Sequence, residues 1–353
     1  MAAIEQLKGF SIIICSYNGA NKIKEAVKYL KCLEVNGFDF EIIIVDNNST
    51  DDTYVTAQAL SVEHSEIKIL VVKEQKSGKP NAMFTGFNMA SYKYLLVCDD
   101  DNWLYENYLT VAFQLLDQND RIGILGGRGV IEAKQELPVW FPLLENAWAI
   151  GRQALMSGEV LGRPSAVWGA GMVIRKDAWN ALLSKGLTTF LTGRKMKSLA
   201  MAGEDTELCI LVKALGYKIY FEESMIYLHD IPNERLTWKN LLNLWEGFSR
   251  SQVYFNLYET IFFDLDLNQK DYRLLWRKEV KKNLLDFLYG ATTVNYYKSL
   301  YIAFIENREG YLPGLEKRKY LTRVNELLRI KKKYADHYKD VCQLKKSVNE
   351  RDF

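Results

Sequence analysis

Four short apolar runs rich in β-branched residues recur through the N-terminal third of the chain, at positions 10–15, 41–45, 67–72 and 94–98. Segments with a helical spacing of apolar residues, at 21–33, 53–60 and 81–90, separate these runs. Strands that are apolar on both faces and alternate with helices are typical of a parallel sheet with right-handed crossovers. The pattern therefore predicts an α/β domain with a mostly parallel sheet flanked by helices.

Polar residues follow three of these runs, at the point where each predicted strand ends. In a parallel sheet the ligand binds beyond the carboxyl ends of the strands, so these side chains are predicted to share one site. Asp46 is placed to accept a hydrogen bond from a base N–H, whereas Asp51 or Asp52 is predicted to cap the next helix. The residues at the three strand ends are Ser16, Tyr17 and Asn18, then Asp46, and finally Asp99, Asp100 and Asp101.

The three consecutive aspartates, Asp99, Asp100 and Asp101, are the strongest chemical signal in the sequence. Ionised carboxylates this close together repel one another and need a compensating cation. Mg²⁺ and Mn²⁺ bind one or two carboxylates and complete their shell with water and phosphate oxygens. On an extended segment Asp99 and Asp101 point to the same side, so that one can contact a ribose and the other a metal ion. An acidic turn that caps a helix at 105–116 is the alternative interpretation.

The net charge of +2 conceals two oppositely charged parts of the chain. Residues 270–353 contain 20 Lys and Arg against 11 Asp and Glu, whereas the preceding residues contain 26 against 33. A basic tail on an acidic body is suited to contact with anions such as lipid headgroups, a phosphorylated acceptor or nucleic acid. Solvated surface helices explain the same charges without any partner.

Five cysteines without a CxxC pair indicate neither a disulfide framework nor a zinc site. The N-terminus lacks the basic-then-apolar pattern of a signal peptide, and no run of about 18 apolar residues is present. These features predict a cytoplasmic protein, and they leave open a peripheral position at the inner face of the cell membrane.

Beyond residue 235 the pattern becomes mostly helical, at 236–258, 272–289, 292–306 and 315–344. The segment 284–305 is apolar and tyrosine-rich but contains Asp286, Asn295 and Lys298, which makes it a poor membrane span and suits it to an interface. The basic run at 329–333 adds positive charge. Docking to an anionic membrane is one hypothesis for this region, and a helical cap or a homo-oligomer surface is the other.

Six segments occur in a fixed order along the chain: IIICSYNGA, EIIIVDNNSTDDT, SGKPNAMFTGFNMA, YLLVCDDDNWL, GAGMVIRKDAW and GEDTELCILVKALGYKIYF. In content and order they resemble glycosyltransferase family 2, the inverting enzymes with the GT-A fold, a Rossmann-like nucleotide-diphospho-sugar transferase fold. The resemblance covers residues 8–230 or so. It implies a GT-A catalytic domain at 1–235, followed by a mostly helical C-terminal region at 236–353.

The resemblance also implies a donor site and a metal site. In this family the loop after the first strand cradles the nucleotide base, an aspartate at the second strand end reads the base, commonly uracil, and a G-x-x-N stretch approaches the ribose and phosphates. The carried-over donor residues are Ser16, Tyr17, Asn18, Asp46, Gly78, Lys79, Asn81, Asp99 and Asp100. Asp101 resembles the direct ligand of Mn²⁺ or Mg²⁺, and His229 matches a histidine that completes the metal shell in some GT-A enzymes.

The acceptor side of the site is implied in the same way. Asp205, with Glu204 beside it, looks like the family's catalytic carboxylate, which removes a proton from the acceptor hydroxyl as it attacks. A helix N-terminus that attracts acids is the structural alternative for both residues. Trp168 and Gly169 resemble the loop beneath the acceptor, although Trp168 is also suited to a core position. Arg250 is a candidate contact for the diphosphate.

The predicted function is therefore metal-dependent inverting transfer of a sugar from a nucleotide-diphosphate donor, with UDP favoured, to a hydroxyl of a glycan or lipid-linked acceptor. Such a reaction serves cell-surface polysaccharide or glycoconjugate assembly. A sugar nucleotidyltransferase is one alternative, although the sequence lacks the Gly-rich phosphate loop it would need after the first strand. A non-catalytic carbohydrate- or nucleic-acid-binding protein on a decayed transferase fold is the other, and nucleic acid is disfavoured as a partner.

Overall fold

The computed structural model describes residues 7–133, 136–186, 202–264, 272–289, 297–298, 300–306 and 308–349. Over these residues, nine strands form one sheet whose two faces are both covered by helices, which confirms the predicted α/β fold. The strands are β1 (Leu7–Ser16), β2 (Asp39–Asp46), β3 (Ile69–Lys73), β4 (Tyr92–Asp99), β5 (Asn102–Leu104), β6 (Ile122–Glu132), β7 (Gly158–Glu159), β8 (Val173–Arg175) and β9 (Lys218–Asp230).

The strand order in the sheet is β3-β2-β1-β4-β8-β6-β9-β5, and β7 pairs with β9 at the side. The long ladders, between β1, β2, β3 and β4 and between β6 and β9, are parallel. The short ladders that β5, β7 and β8 form are antiparallel. The carboxyl ends of β1, β2 and β4 therefore lie side by side, as the sequence pattern predicts.

Helices pack on the sheet because successive side chains of each strand point to opposite faces. Ile13 and Ile43 lie in one core cluster, and Ile12 and Ile42 lie in the other; all four are fully buried. Burial of one such side chain contributes about 1.5–3 kcal/mol. The helices of this part of the chain are α1 (Lys22–Leu30), α2 (Thr53–Glu63), α3 (Lys79–Met89), α4 (Tyr108–Gln118), α5 (Lys176–Ser184) and α6 (Glu204–Ala214).

Among the described residues beyond 235, the α-helices with defined bounds are α7 (Trp238–Glu259), α8 (Tyr272–Leu288), α9 (Leu312–Arg329) and α10 (Tyr334–Asn349), and Tyr301–Glu306 is a π-helix. The prediction of one helix at 315–344 is wrong, because the chain turns between α9 and α10. Ile330 and Tyr334 are both buried at this turn, and the helices on either side of it both pack against α7 and α8. Of the helix predicted at 292–306, residues 292–296 lie outside the described residues. Among the helices of the described ranges, none has the length and apolar character needed to cross a bilayer.

Glu41 is a fully buried carboxylate in the middle of β2. Its oxygens accept hydrogen bonds from the Ser11 hydroxyl at 2.7 Å, from the Ser91 backbone N–H at 2.6 Å, and from Lys68 Nζ at 2.5 Å. Burial raises the pKa of Glu41, but the donors on Lys68, Ser11 and Ser91 outweigh it, so the pKa lies below its ordinary value. The carboxylate therefore ties together the amino ends of β1, β2 and β4 as an anion.

We predict that Glu41→Ala lowers the free energy of unfolding by about 2 kcal/mol, because it leaves the Ser11 hydroxyl and the Ser91 N–H buried without an acceptor. Lys68 is half exposed and remains solvated, so no buried charge is stranded. Urea denaturation followed by circular dichroism measures the change. Glu63→Ala, at an exposed position of α2, is the matched control and is expected to stay within about 0.5 kcal/mol. Equal stability of the two variants would show that the Glu41 network is not structural.

Candidate active site

A cavity of about 590 Å³ opens at the carboxyl ends of β1 and β4. Its walls come from the ends of these strands, the turn before β8, the N-terminus of α6 and one face of α7. Of the predicted site residues, those that line it are Tyr17, Lys79, Asp99, Asp100, Asp101, Trp168, Gly169, Glu204, Asp205 and His229. Those that are not among its lining residues are Ser16, Asn18, Asp46, Gly78 and Asn81.

Asp99, the last residue of β4, forms an ion pair with Lys79, whose Nζ lies 2.6 Å from Asp99 Oδ1. Lys79 is the first residue of α3 and follows Gly78, which has a φ of 126°, a conformation that side chains with a Cβ rarely adopt. Burial lowers the pKa of Lys79, but the carboxylates of Asp99 and Glu204 more than offset this, so the pKa lies above its ordinary value. Lys79 therefore carries a fixed positive charge inside the cavity.

Asp100 is the least compensated of the three aspartates. The Ser16 hydroxyl donates to its Oδ2 at 2.5 Å, and Lys22 Nζ lies 3.7 Å from its Oδ1. Burial, together with the charge of Asp101, raises the pKa of Asp100 to about 6. Ser16 thus contributes to the site from behind, by holding Asp100, and does not itself line the cavity.

Asp101 Oδ2 is paired with two cations, Lys22 Nζ at 3.3 Å and Arg235 Nη1 at 3.1 Å. Burial raises the pKa of Asp101, but His229, Lys22 and Arg235 outweigh it, so the pKa lies below its ordinary value. The pKa of His229 is itself lowered by burial, so we assign the effect on Asp101 mainly to the two permanent cations. The three aspartates do not cap the helix that follows them, because α4 begins only at Tyr108 and β5 lies between the aspartates and that helix.

His229 reaches Asp101 because β5 and β9 pair antiparallel, with Asn102 opposite His229. Its Nδ1 lies 2.8 Å from the Trp148 carbonyl oxygen, which only accepts, so Nδ1 carries the proton in the neutral ring. The lone pair of Nε2 is then left to face Asp101 Oδ1, 3.7 Å away. A nitrogen lone pair beside a carboxylate fits a divalent cation. Within the described ranges no group of three or more His, Cys, Asp or Glu is placed to hold an ion.

Asp205 lies in the first turn of α6, after Gly203 with a φ of 107°. The Gly169 backbone N–H donates to its Oδ2 at 2.8 Å, and the Thr206 N–H donates to its Oδ1 at 2.7 Å. A Cβ built on Gly169 would lie 3.3 Å from Asp205 Cβ, so glycine permits the close approach that this bond requires. The position at a helix N-terminus and the position on the cavity wall are therefore compatible.

A second polar cluster lies at the carboxyl end of β2, beside the cavity. Asp46 is buried and its Oδ1 accepts from the Ser49 N–H at 3.1 Å, while the Asn18 N–H donates to Ser49 Oγ at 3.0 Å.

Asn47 Oδ1 accepts from the Gly78 N–H at 2.7 Å, which connects this cluster to the start of α3. Asn81 Nδ2 donates to the Ser77 carbonyl at 3.1 Å. Asp51 Oδ1 accepts from the Thr53 N–H at 3.0 Å, whereas Asp52, the N-cap residue of α2, makes no capping hydrogen bond with its side chain.

Several lining residues were not predicted. Arg235, which follows β9, lines the cavity. Lys22 does not line it but pairs with Asp101, and the rule that sites lie beyond strand ends would have found this lysine at the start of α1, after β1. One face of α7 also lines the cavity. Its side chains there are spaced by three and four residues and are Trp245, Phe248, Gln252 and Phe255. Arg250, proposed from the sequence as a diphosphate contact, is not among the lining residues and pairs with Glu246 at 2.9 Å.

Comparison with known proteins bears on the predicted resemblance. Residues 11–183, just under half of the chain, match the model of glycosyl transferase family 2. This match and the similarity to curated glycosyltransferases bear out the predicted resemblance to that family.

Two curated relatives illustrate the similarity. Probable glycosyltransferase YdaM of Bacillus subtilis (strain 168) is 28% identical over 241 residues, which are 67% of this chain and 53% of the relative. Poly-beta-1,6-N-acetyl-D-glucosamine synthase of Staphylococcus epidermidis is 25% identical over 147 residues, 42% of this chain and 35% of the synthase. The chain thus spans about half the length of these relatives, or less.

Solved structures confirm the fold. Residues 1-349 of S. aureus TarS in complex with UDP-GlcNAc superimpose with a TM-score of 0.52 at 15% identity, covering 97% of this chain and 92% of that chain. The mannosyltransferase PcManGT from Pyrobaculum calidifontis, in complex with GDP-Man and Mn2+, gives a TM-score of 0.50 at 12% identity and covers 98% and 87%. At these identities the likeness establishes the shared GT-A fold, including a helical C-terminal region.

Proposed function

We propose that this chain catalyses metal-dependent, inverting transfer of a sugar from a nucleoside diphosphate to a hydroxyl of a glycan or lipid-linked acceptor. The observation that carries the proposal is that Asp101 and Asp205 line one cavity while different groups hold them. The relatives that make polysaccharide support a role in cell-surface polysaccharide or glycoconjugate assembly. UDP is the favoured carrier, supported by a buried aspartate, Asp46, at the strand end where the family reads the base.

A divalent ion, Mn²⁺ or Mg²⁺, belongs to the proposal. Asp101 and His229 would hold it, and when bound it would offset the charge of the diphosphate. The Mn2+ in the complex of the mannosyltransferase supports this choice of ion. Lys22 and Arg235 are cations that already pair with Asp101, and Arg235 lines the cavity, so it is positioned to donate hydrogen bonds to phosphate oxygens and to stabilise negative charge on the leaving diphosphate.

Asp205 is proposed as the general base. Its carboxylate removes the proton of the acceptor hydroxyl as the hydroxyl oxygen forms a bond to the anomeric carbon. The bond from that carbon to the diphosphate breaks on the opposite side, so the configuration inverts and the nucleoside diphosphate leaves with the electron pair. The two backbone donors on Gly169 and Thr206 orient the carboxylate for this step. Trp168 and Gly169, on the same wall, are positioned for acceptor contact.

The two alternative functions receive less support. A nucleotidyltransferase would not be expected to match the glycosyl transferase family 2 model and relatives named as glycosyltransferases. A non-catalytic protein on a decayed transferase fold would match them, but the presence of Asp99, Asp101 and Asp205 in the cavity argues against decay. The helical C-terminal region is proposed as the part that would contact an anionic membrane surface or a second copy of the chain. A cytoplasmic location, at the inner face of the cell membrane, is consistent with a nucleotide-sugar donor.

We predict that Asp205→Asn abolishes sugar transfer but retains nucleotide binding. The amide keeps the size of the side chain but accepts no proton, so release of UDP from a panel of UDP-sugars should fall by about 10²–10⁴-fold. Calorimetric titration of UDP should give an affinity within about twofold of the unaltered protein. Asp120→Asn, at an exposed position, is the control. Near-full activity of Asp205→Asn would mean that another group deprotonates the acceptor.

A second prediction concerns metal dependence. With Asp101→Ala, Mn²⁺ should no longer strengthen UDP binding, because the variant loses the carboxylate that faces His229. Calorimetric titrations of UDP with Mn²⁺ and with a chelator, on both proteins, measure the difference. Binding of UDP to the unaltered protein that is equally tight with and without metal would contradict metal dependence. Such a result would leave the role of Asp205 untouched.

The third prediction compares two arginines. Arg235→Gln should weaken UDP binding about tenfold or more, because it removes a charge-assisted donor at the cavity. Arg250→Gln is the matched control, since Arg250 pairs with Glu246 and does not line the cavity; it should change the affinity by less than about threefold. The same calorimetric titration applies. Equal effects of both variants would contradict the assignment of the diphosphate position.

A further inference from the structure

The orientation of α8 is defined by the contacts of its inner face. Trp276 Nε1 donates to the Leu327 carbonyl of α9 at 2.9 Å, and Glu279 Oε2 accepts from Asn256 Nδ2 of α7 at 3.1 Å. Asn283, one turn further along, is buried. These three residues are spaced by three and four positions and lie on one side of the helix. The opposite side of α8 therefore faces outward.

The outward side of α8 is composed only of cations and large apolar residues. Its exposed positions come in adjacent pairs that recur every three or four residues, so they form one stripe about 25 Å long. Both acids of this segment, Glu279 and Asp286, are only partly exposed. The exposed positions of residues 272–289 are Arg273, Leu274, Arg277, Lys278, Lys281, Lys282, Leu284, Leu285, Leu288 and Tyr289.

Charge and apolar surface are separated along this stripe. The first three pairs of exposed residues carry all five cations of the stripe, and the last two pairs carry none. At the apolar end Leu285 is 57% exposed, Leu288 is 48% exposed and Tyr289 is 84% exposed. Monomeric soluble proteins expose single apolar side chains routinely, but a run of them beside a basic cluster indicates an interaction surface.

Two neighbouring segments, one of them basic, contact α8. Lys331 Nζ lies 5.1 Å from the centre of the Trp276 ring, which brings the exposed residues 331–333, all lysine, next to α8. At the other end, Lys317 Nζ donates to the carbonyl oxygens of Phe287 and Tyr289 at 3.0 and 2.9 Å. These bonds hold the C-terminal end of α8 in place, so its exposed leucines belong to an ordered surface.

We propose that the α8 stripe docks the protein on an anionic lipid bilayer. The cations would contact lipid phosphates, and Leu284, Leu285, Leu288 and Tyr289 would enter the boundary between headgroups and acyl chains. A second copy of the chain fits less well, because two identical basic stripes repel each other. A nucleic acid would bind the cations but would leave the exposed leucines in water. This inference goes beyond the proposed function and does not rest on it.

Vesicle flotation of the full chain tests the proposal. The protein should float with vesicles that contain phosphatidylglycerol and remain behind with vesicles of phosphatidylcholine alone. Removal of a basic side chain costs about fivefold in affinity for an anionic membrane, so Arg277→Gln/Lys278→Gln/Lys281→Gln should weaken binding on the order of a hundredfold. Leu285→Ser/Leu288→Ser should weaken it by about tenfold or more through loss of apolar contact. Raised salt should oppose the binding of the unaltered protein.

The matched control is Lys24→Gln/Lys28→Gln/Arg121→Gln, which removes the same charge from exposed positions far along the chain in the sheet domain. It should float as the unaltered protein does. Failure of the unaltered protein to float at low salt overturns the proposal, as does equal weakening by the control triple. A sedimentation measurement that finds a dimer broken by the leucine variant would assign the stripe to self-association and also overturn it. Calorimetric UDP binding should be unchanged in every variant, which separates this outcome from that of the proposed function.

Discussion

The site depends on how three adjacent carboxylates are held at the end of one buried strand. Asp99, Asp100 and Asp101 would repel one another strongly if each were compensated only by solvent, because all three are largely removed from water. The fold gives each a different partner: Lys79 for Asp99, the Ser16 hydroxyl for Asp100, and Lys22 with Arg235 for Asp101. Because these partners come from α3, β1, α1 and the segment after β9, the carboxylates connect most of the sheet domain.

This arrangement also explains why the cavity is suited to a diphosphate. A site for a dianion needs positive charge, yet positive charge that is left unpaired in a half-buried cavity is costly. Here Lys22 and Arg235 each form an ion pair with Asp101. Under the proposed function, a diphosphate bound together with its metal ion would exchange partners with these groups, so that opposite charges would stay paired. The aspartates therefore keep the cations in position as well as presenting ligands of their own.

Much of the fold could be predicted from the sequence, since period and apolarity decide which segments are strands and on which faces they are buried. The predicted strands at 10–15, 41–45, 67–72 and 94–98 correspond to β1 to β4. The site was predictable where it lies at strand ends, as for Asp101. The site was not predictable where it includes residues that are distant in sequence. Arg235 reaches Asp101 because β9 pairs with both β5 and β6. Strand pairing of this kind depends on tertiary packing, which no local pattern encodes.

The predicted division of the chain at residue 235 is a second case in which local sequence pattern does not reveal tertiary packing. The family motifs end near that residue, and local pattern changes there from mixed to helical. The cavity does not end there, because Trp245, Phe248, Gln252 and Phe255 of α7 form one of its walls. Tyr258 of α7 also donates a hydrogen bond of 2.7 Å to the buried Glu207 of α6, the helix that carries Asp205. The sequence boundary therefore separates two parts that together form one cavity, and the helical region positions α6 as well as covering the sheet.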